Sequence, residues 1–371
     1  MTNNENFNNR CYGIVIIKSE NSNFNADFTG NPRRLPDENG TIYATDKSFK
    51  YPIRRYWVDY DKDVFVWRSH SNDGNLRTRD ERMVFMKNIL AEKHEDLQNL
   101  INIEAWLEKN KQKKKKNDLD LNNDIKQLED IIKYLKKDNE KTDLDKGKFE
   151  TKISEVKKEI TATIFSKCID TKLFGVTYTG EGPLSLTGPV QISYGINKYN
   201  DNTNYINDIL SPYPTSDEGT TQASIGKEKK TLCSYYVYDF SINPKNIITH
   251  YNDSEQIKKL MSLSEDDINS LKGALKFSVT ALDTSSKKDS ENALLLFITL
   301  KEGSKTFLPA MKNLVEVKNG DDGKILIDLT SVKELLQTKK DAIKSIELYY
   351  NKIYHHVHPE NLENWTIDDN L

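Results

Sequence analysis

Cysteine is scarce in this chain. Cys11, Cys168 and Cys233 are its only three, odd in number and far apart, so they make neither a disulfide framework nor a CxxC metal pair. No apolar run approaches the length needed to span a bilayer. The opening MTNNENFNNR lacks the apolar centre of a secretory leader. The expectation is a cytoplasmic protein with no membrane partner. Charge of one sign is lacking too: the net charge of −3 argues against a generic nucleic-acid binder, although a local basic surface stays compatible with it. Catalytic signatures are missing as well, since there is no GxxxxGK[ST], no GxGxxG after a strand, no GxSxG and no HExxH. The six histidines include His355, His356 and His358 in YHHVHPE. No obvious set of further ligands completes a metal site there, so a solvated tail segment is expected, with no metal and no cofactor.

What is present is a soluble, core-forming composition, 36% hydrophobic and 30% charged over 371 residues. That length suits one large domain with an insertion, or two domains. RCYGIVIIK at 10–18 reads as a buried strand. A polar loop follows to about residue 45. TDKSFKYPIRRYW then reads as a helix capped by Thr45 or Asp46, with Pro52 expected to kink or delay it. From 80 to 165 glycine almost vanishes and apolar residues keep helical spacing, including Ile125, Leu128, Ile131, Ile132 and Leu135. This predicts a helical insertion, with KNKQKKKKND at 109–118 as an exposed, solvated loop. Strands are predicted over 169–178 and 185–194, the second with Val190, Ile192 and Tyr194 on one side. The stretch 195–232 reads as a long polar loop. A strand at 234–243, a helix from the cap Ser264, strands at 292–301 and 324–330, a helix near 331–340 and a strand at 343–351 complete the pattern. The core order is strand, helix, strand, strand, helix, strand, the ferredoxin-like or RRM-like arrangement of an α+β fold.

Candidate chemistry is sparse but patterned. Lys47, Lys50 and Arg54 stand three and four residues apart and share a helix face, with Arg55 beside it. A phosphate backbone needs such a row of cations. The loop Asn31-Pro32-Arg33-Arg34 leads toward it. In SLTGPVQISYG, Gly188 opens a strand where glycine is a poor choice, which suggests a close approach to the backbone. Gln191 is placed to hydrogen-bond a sugar, phosphate or base edge. Asp27, in the loop after the first strand, reads as a turn residue or as a lone acid facing a phosphodiester.

Taken in order, GIVIIKSE, GNPRR, ATDKSFKYPIRRYW, DTKLFGVTY, SLTGPVQISYG, YYVYDFSINP and SEDDINSLKGALKFSVTAL resemble the backbone subunit of type I CRISPR Cascade effectors, the Cas-seven family, most closely its I-B branch. The resemblance covers roughly 10–60 and 165–300. It implies an RRM-like palm at 1–59 and 166–371 with a C-terminal extension, helical fingers at 60–165 and an extended thumb loop at 196–232. It implies RNA contacts at Asn31, Arg33, Arg34, Lys47, Lys50, Arg54, Arg55, Thr187, Gly188 and Gln191, and at Ile225, Gly226, Lys227 and Lys229 in the thumb. Ile225 would be the apolar wedge, where relatives carry methionine. The implied role is a non-catalytic subunit that polymerises in a helical filament along a CRISPR guide RNA and presents it to target DNA in antiviral defence. Other Cascade subunits and a recruited helicase-nuclease are the further partners implied. The alternative is a metal-dependent endoribonuclease of the same superfamily, cutting target RNA with Asp27.

Overall fold

The computed structural model describes residues 6–111, 146–200, 202–214, 222–246, 255–284, 287–320 and 322–371. The periodic residues Ile125 to Leu135 and most of the lysine run at 109–118 lie outside them. Two compact units emerge: residues 1–62, 189–245 and 263–371 form the first, and 63–188 with 246–262 the second.

The first unit is built on β1 (Cys11–Ser22), paired antiparallel with β8 (Gln222–Ile242) on one side and β9 (Ser290–Leu300) on the other. Beyond β8 lie β5 (Val190–Ile192) and β6 (Gly195–Asn197), and β2 (Tyr43–Ala44) adds to β6. Beyond β9 lie β12 (Ile343–Tyr350) and β14 (Thr366–Asp368), the latter added parallel. Central strands are covered on both faces, which is why GIVII and ALLLFITL read as unbroken apolar runs rather than alternating ones. On one face Ile14, Ile16, Val237, Leu294 and Leu296 join Val332, Leu336 and Val357 in a single core. That core takes in α8 (Thr330–Gln337) and a small sheet of β10 (Glu316–Asn319), β11 (Ile325–Asp328) and β13 (His355–His358).

Elsewhere in this unit α1 (Asp46–Asp59) packs against α7 (Glu265–Phe277). The Trp57 indole N–H donates to Ser270 O at 3.1 Å, and Phe49 packs on Tyr238 of β8 with centroids 5.0 Å apart. Both helices start where their caps dictate. Thr45 Oγ1 accepts the Ser48 N–H, and Ser264 and Asp267 form a reciprocal capping box. Pro52 sits buried inside α1 and does not delay it, because the cap fixes the start upstream.

The second unit is largely helical: α2 (Arg79–Lys93), α3 (Glu95–Lys111), α4 (Lys146–Lys167), α5 (Ile169–Phe174) and α6 (Glu255–Met261), with the hairpin β3 (Gly175–Tyr178) and β4 (Leu184–Thr187). Met83, Met86, Leu90, Leu97, Leu107, Val156 and Ile160 share its core. The predicted strand at 169–178 is half helix. Asp170 is buried at the start of α5, and its carboxylate accepts the Phe65 and Val66 N–H groups at 2.8 and 2.9 Å. That tie anchors the first turn of α5 to residues 65–66, and Gly175, at φ +78°, ends the helix.

Three further expectations change. Within 195–232, residues 204–214 and 222–231 form a paired ribbon rather than a loop, because β7 (Asn204–Pro214) runs antiparallel to the first half of β8. Cross-strand pairing over that length gives the backbone N–H and C=O groups of both strands their partners, whatever the polarity of the side chains. The strand 185–194 is broken at Gly188-Pro189, and Tyr194 is exposed instead of joining Val190 and Ile192 inside. The Ser193 hydroxyl accepts the Asp239 N–H at 3.0 Å between β5 and β6, so the alternation slips there. The histidine segment is a strand, not a solvated tail. His355 is buried, shares a hydrogen bond with the Tyr235 hydroxyl at 3.2 Å, and is pushed down to about 4 by burial.

Candidate nucleic-acid interface

The loop after β1 is stiffened by its own side chains. Asp27 Oδ1 accepts the Thr29 N–H, the Thr29 hydroxyl and the Asn31 N–H at 2.8, 2.7 and 2.9 Å. The Thr29 hydroxyl bond is the main reason its carboxyl lies below the usual range. Asp27 is therefore the organiser of a tight turn, as its turn preference suggested. Among the described residues no group of three or more His, Cys, Asp or Glu is placed to hold a metal ion. Arg33 Nε donates to Ala26 O at 3.1 Å and Arg34 Nη1 to Gly40 O at 2.6 Å. Both guanidiniums are thus oriented by carbonyl oxygens.

The ribbon meets this loop. Lys229 Nζ donates to Asn31 Oδ1 at 2.6 Å, which joins two expected contact residues that are far apart in sequence. Lys227 is exposed, 4.0 Å from Asp208 across the ribbon. Ile225 is 66% exposed at a register shift, and Gly226 faces Ile209. Ile206, Ile209, Leu210 and Tyr213 are also exposed, so the polar-looking segment presents more apolar surface than its composition advertised.

On α1 the cations are less uniform than their spacing implied. Lys47 is exposed, but Lys50 pairs with Asp46 at 3.0 Å and Arg55 with Asp59 at 2.8 Å, each one helical turn away. Arg54 is half-buried. Gln191 is exposed and lines a cavity of about 310 Å³ together with Tyr12, Asp239, Ser241 and Met311. Burial raises the Asp239 carboxyl, whose Oδ1 accepts the Lys312 N–H at 2.9 Å while its Oδ2 has no partner among the described residues. Tyr43 and Tyr194, distant in sequence, stack with centroids 5.4 Å apart.

Thr187 and Gly188 belong to the second unit and Gln191 to the first, since the chain crosses between units at Gly188–Pro189. Gly188 is explained by the protein's own backbone. A Cβ there would lie 2.1 Å from Phe174 C, 2.4 Å from Gly175 N and 2.4 Å from Leu173 O. Its carbonyl accepts Asn246 Nδ2 at 3.0 Å. The close approach suggested by the glycine is real, and the group that approaches is the α5–β3 junction. Sequence reasoning passed over Phe28, which is 99% exposed; an aromatic residue inside a polar stretch was the available signal.

The described residues thus form an α+β protein: a nine-stranded, mostly antiparallel sheet flanked by helices, and a separate helical unit. The family model for CRISPR-associated protein Cas7 matches residues 9–335, and the chain belongs to that family. In fold it is similar to a chain of a "CRISPR RNA-guided surveillance complex, pre-nicking", with 13% identity, 98% of this chain and 96% of that chain covered, and a TM-score of 0.50. A chain of another "CRISPR RNA-guided surveillance complex" is 10% identical over 96% of this chain and 95% of that one, with a TM-score of 0.43. No curated protein matches the sequence. No helix among the described residues is long and apolar enough to cross a membrane.

Proposed function

We propose that the chain is a non-catalytic backbone subunit of a type I Cascade interference complex, of the I-B branch, that binds CRISPR guide RNA and polymerises along it. Membership of the Cas7 family over residues 9–335 carries this reading. The antiparallel order β9-β1-β8-β5/β6, with α1 following β1 and α7 following β8, supports an RRM-like palm. The helical unit then corresponds to the fingers and the β7–β8 ribbon to the thumb. Asn31, Arg33, Arg34 and Lys229, tied into one loop–ribbon corner, hold phosphates without reading sequence, and Ile225 is the exposed wedge of the ribbon. Guide pairing supplies specificity for target DNA, other Cascade subunits complete the complex, and a helicase-nuclease is recruited to it. A cytoplasmic location follows from that role.

The test is purification with a guide RNA, reading the absorbance ratio at 260 and 280 nm and extracting bound nucleic acid. We expect discrete guide lengths and a ladder of RNA-bound oligomers; an RNA-free monomer under those conditions refutes the proposal. Replacing Arg54 and Arg55 by Ala should weaken protection of the guide in the assembled complex. Complementary RNA with a divalent metal should stay intact, whereas regular cleavage abolished by Asp27→Ala would make the protein an endoribonuclease.

A further inference from the structure

Phe28 stands at the tip of the Asp27–Asn31 turn with 99% of its surface exposed. A single exposed apolar residue needs no explanation in general. This one is unusual in how firmly it is presented. Gly30 N–H donates to Asp27 O at 3.2 Å and Asp27 N–H to Asn31 O at 2.7 Å. Asn23 Nδ2 holds Gly30 O at 3.0 Å, and Asp27 Oδ1 accepts three further bonds from inside the turn. Ala26 and Pro32 bridge at its base. The turn is preorganised, so little entropy is lost when the ring meets a partner. The ring itself has no core to join.

The surroundings say what kind of partner fits. Arg33 and Arg34, just beyond the turn, have their guanidiniums oriented by Ala26 O and Gly40 O, which leaves their charge unneutralised by those contacts. Lys229 reaches the turn from the ribbon through Asn31 Oδ1, and its cross-strand neighbour Ile206 is exposed. An exposed aromatic ring on the same loop as cations is the combination that single-stranded nucleic acid uses: cations track the backbone and π-faces take bases. Asp27, next to Phe28 in sequence, keeps a carboxylate inside the turn, and that negative charge disfavours a phosphate at the tip, so the tip takes a base.

We infer that Phe28 is a stacking platform for an unpaired base of single-stranded RNA running past the loop–ribbon corner. The inference rests on the proposed RNA-binding role and adds to it a contact residue and a mode of contact.

The test uses full-length protein and a short single-stranded RNA carrying 2-aminopurine at successive positions. Phe28→Ala, Phe28→Leu and Phe28→Trp are compared with the unmodified chain. The ring buries nothing in the fold, so all three should melt as the parent does. We expect 2-aminopurine quenching at one or more positions with the parent and with the Phe28→Trp variant, and its loss with the Ala and Leu variants. Affinity for the RNA should fall roughly fivefold or more in the Ala and Leu variants, in line with one lost base–aromatic stack. Full retention of quenching and affinity in Phe28→Ala overturns the inference while leaving RNA binding intact. Parent-like behaviour of Phe28→Leu overturns it too, since apolar contact without stacking would then suffice. An effect confined to self-association of RNA-free protein assigns Phe28 to contact between copies and overturns it as well. If the parent protein binds no RNA, the proposed function itself fails.

Discussion

Replacing Gly188 by Ala tests the packing of the strand break directly. The new Cβ would fall 2.1 Å from Phe174 C and 2.4 Å from both Gly175 N and Leu173 O. None of these backbone atoms can rotate away as a side-chain tip would. Gly175 reciprocates, since a Cβ on it would lie 2.4 Å from Gly188 N and 2.3 Å from Leu186 O, and its φ of +78° already suits glycine. Overpacking a tight site costs typically about 1–3 kcal/mol. With only backbone to yield, we expect the upper end, about 3 kcal/mol, and at roughly 2–4 °C per kcal/mol for a unit of this size a fall in Tm of about 6–12 °C. Circular dichroism at the helical band reads it. A Gly188→Ala protein that melts at the parent's Tm refutes the packing argument. Loss of RNA affinity at unchanged Tm would instead point to a direct role of the glycine in RNA binding.

Other outcomes follow from the same contacts. Asp170→Ala leaves the buried Phe65 N–H without its carboxylate partner and takes the same acceptor from Val66, so urea unfolding should show a loss of about 3 kcal/mol, with Asp170→Asn costing less. His355, at about 4 in the folded state against an ordinary 6.5, is stabilising as the neutral ring. That contribution, about 3 kcal/mol, is complete above about pH 6.5 and is lost as pH falls toward about 4; unfolding curves of His355→Gln should lack that part of the acid slope. Lys229→Ala releases Asn31 from the ribbon. It should lower RNA affinity and reduce the slope of log affinity against log salt by about 0.7, the value for one phosphate contact on a single strand; an unchanged slope removes Lys229 from the phosphate contacts.

Much of the first unit was legible because its signals are local. The apolar runs of β1 and β9, the Thr45 cap and the Ser264–Asp267 box each lie within a few residues, and local propensity with capping is enough to place such elements. The candidate site was legible by residue type but not by state. Spacing put Lys50 and Arg55 on a basic helix, yet it also put Asp46 and Asp59 one turn from them, and the pairing follows from helix geometry that was available all along. Phe28 was overlooked because a lone aromatic in a polar stretch has no period to register.

By itself, then, the sequence determined which segments bury apolar surface, where the capped helices begin and which cations cluster near the first loop. Tertiary structure alone decided three things. It paired 204–214 with the start of β8 and so turned an expected loop into a ribbon. It brought His355 onto Tyr235, 120 residues away, and made a buried neutral ring of a histidine in an apparent tail. It set the α5–β3 junction against Gly188. Each depends on segments distant along the chain meeting at van der Waals or hydrogen-bond range. Short-range pattern cannot encode such meetings, because the same glycine, histidine or polar run is locally compatible with either outcome.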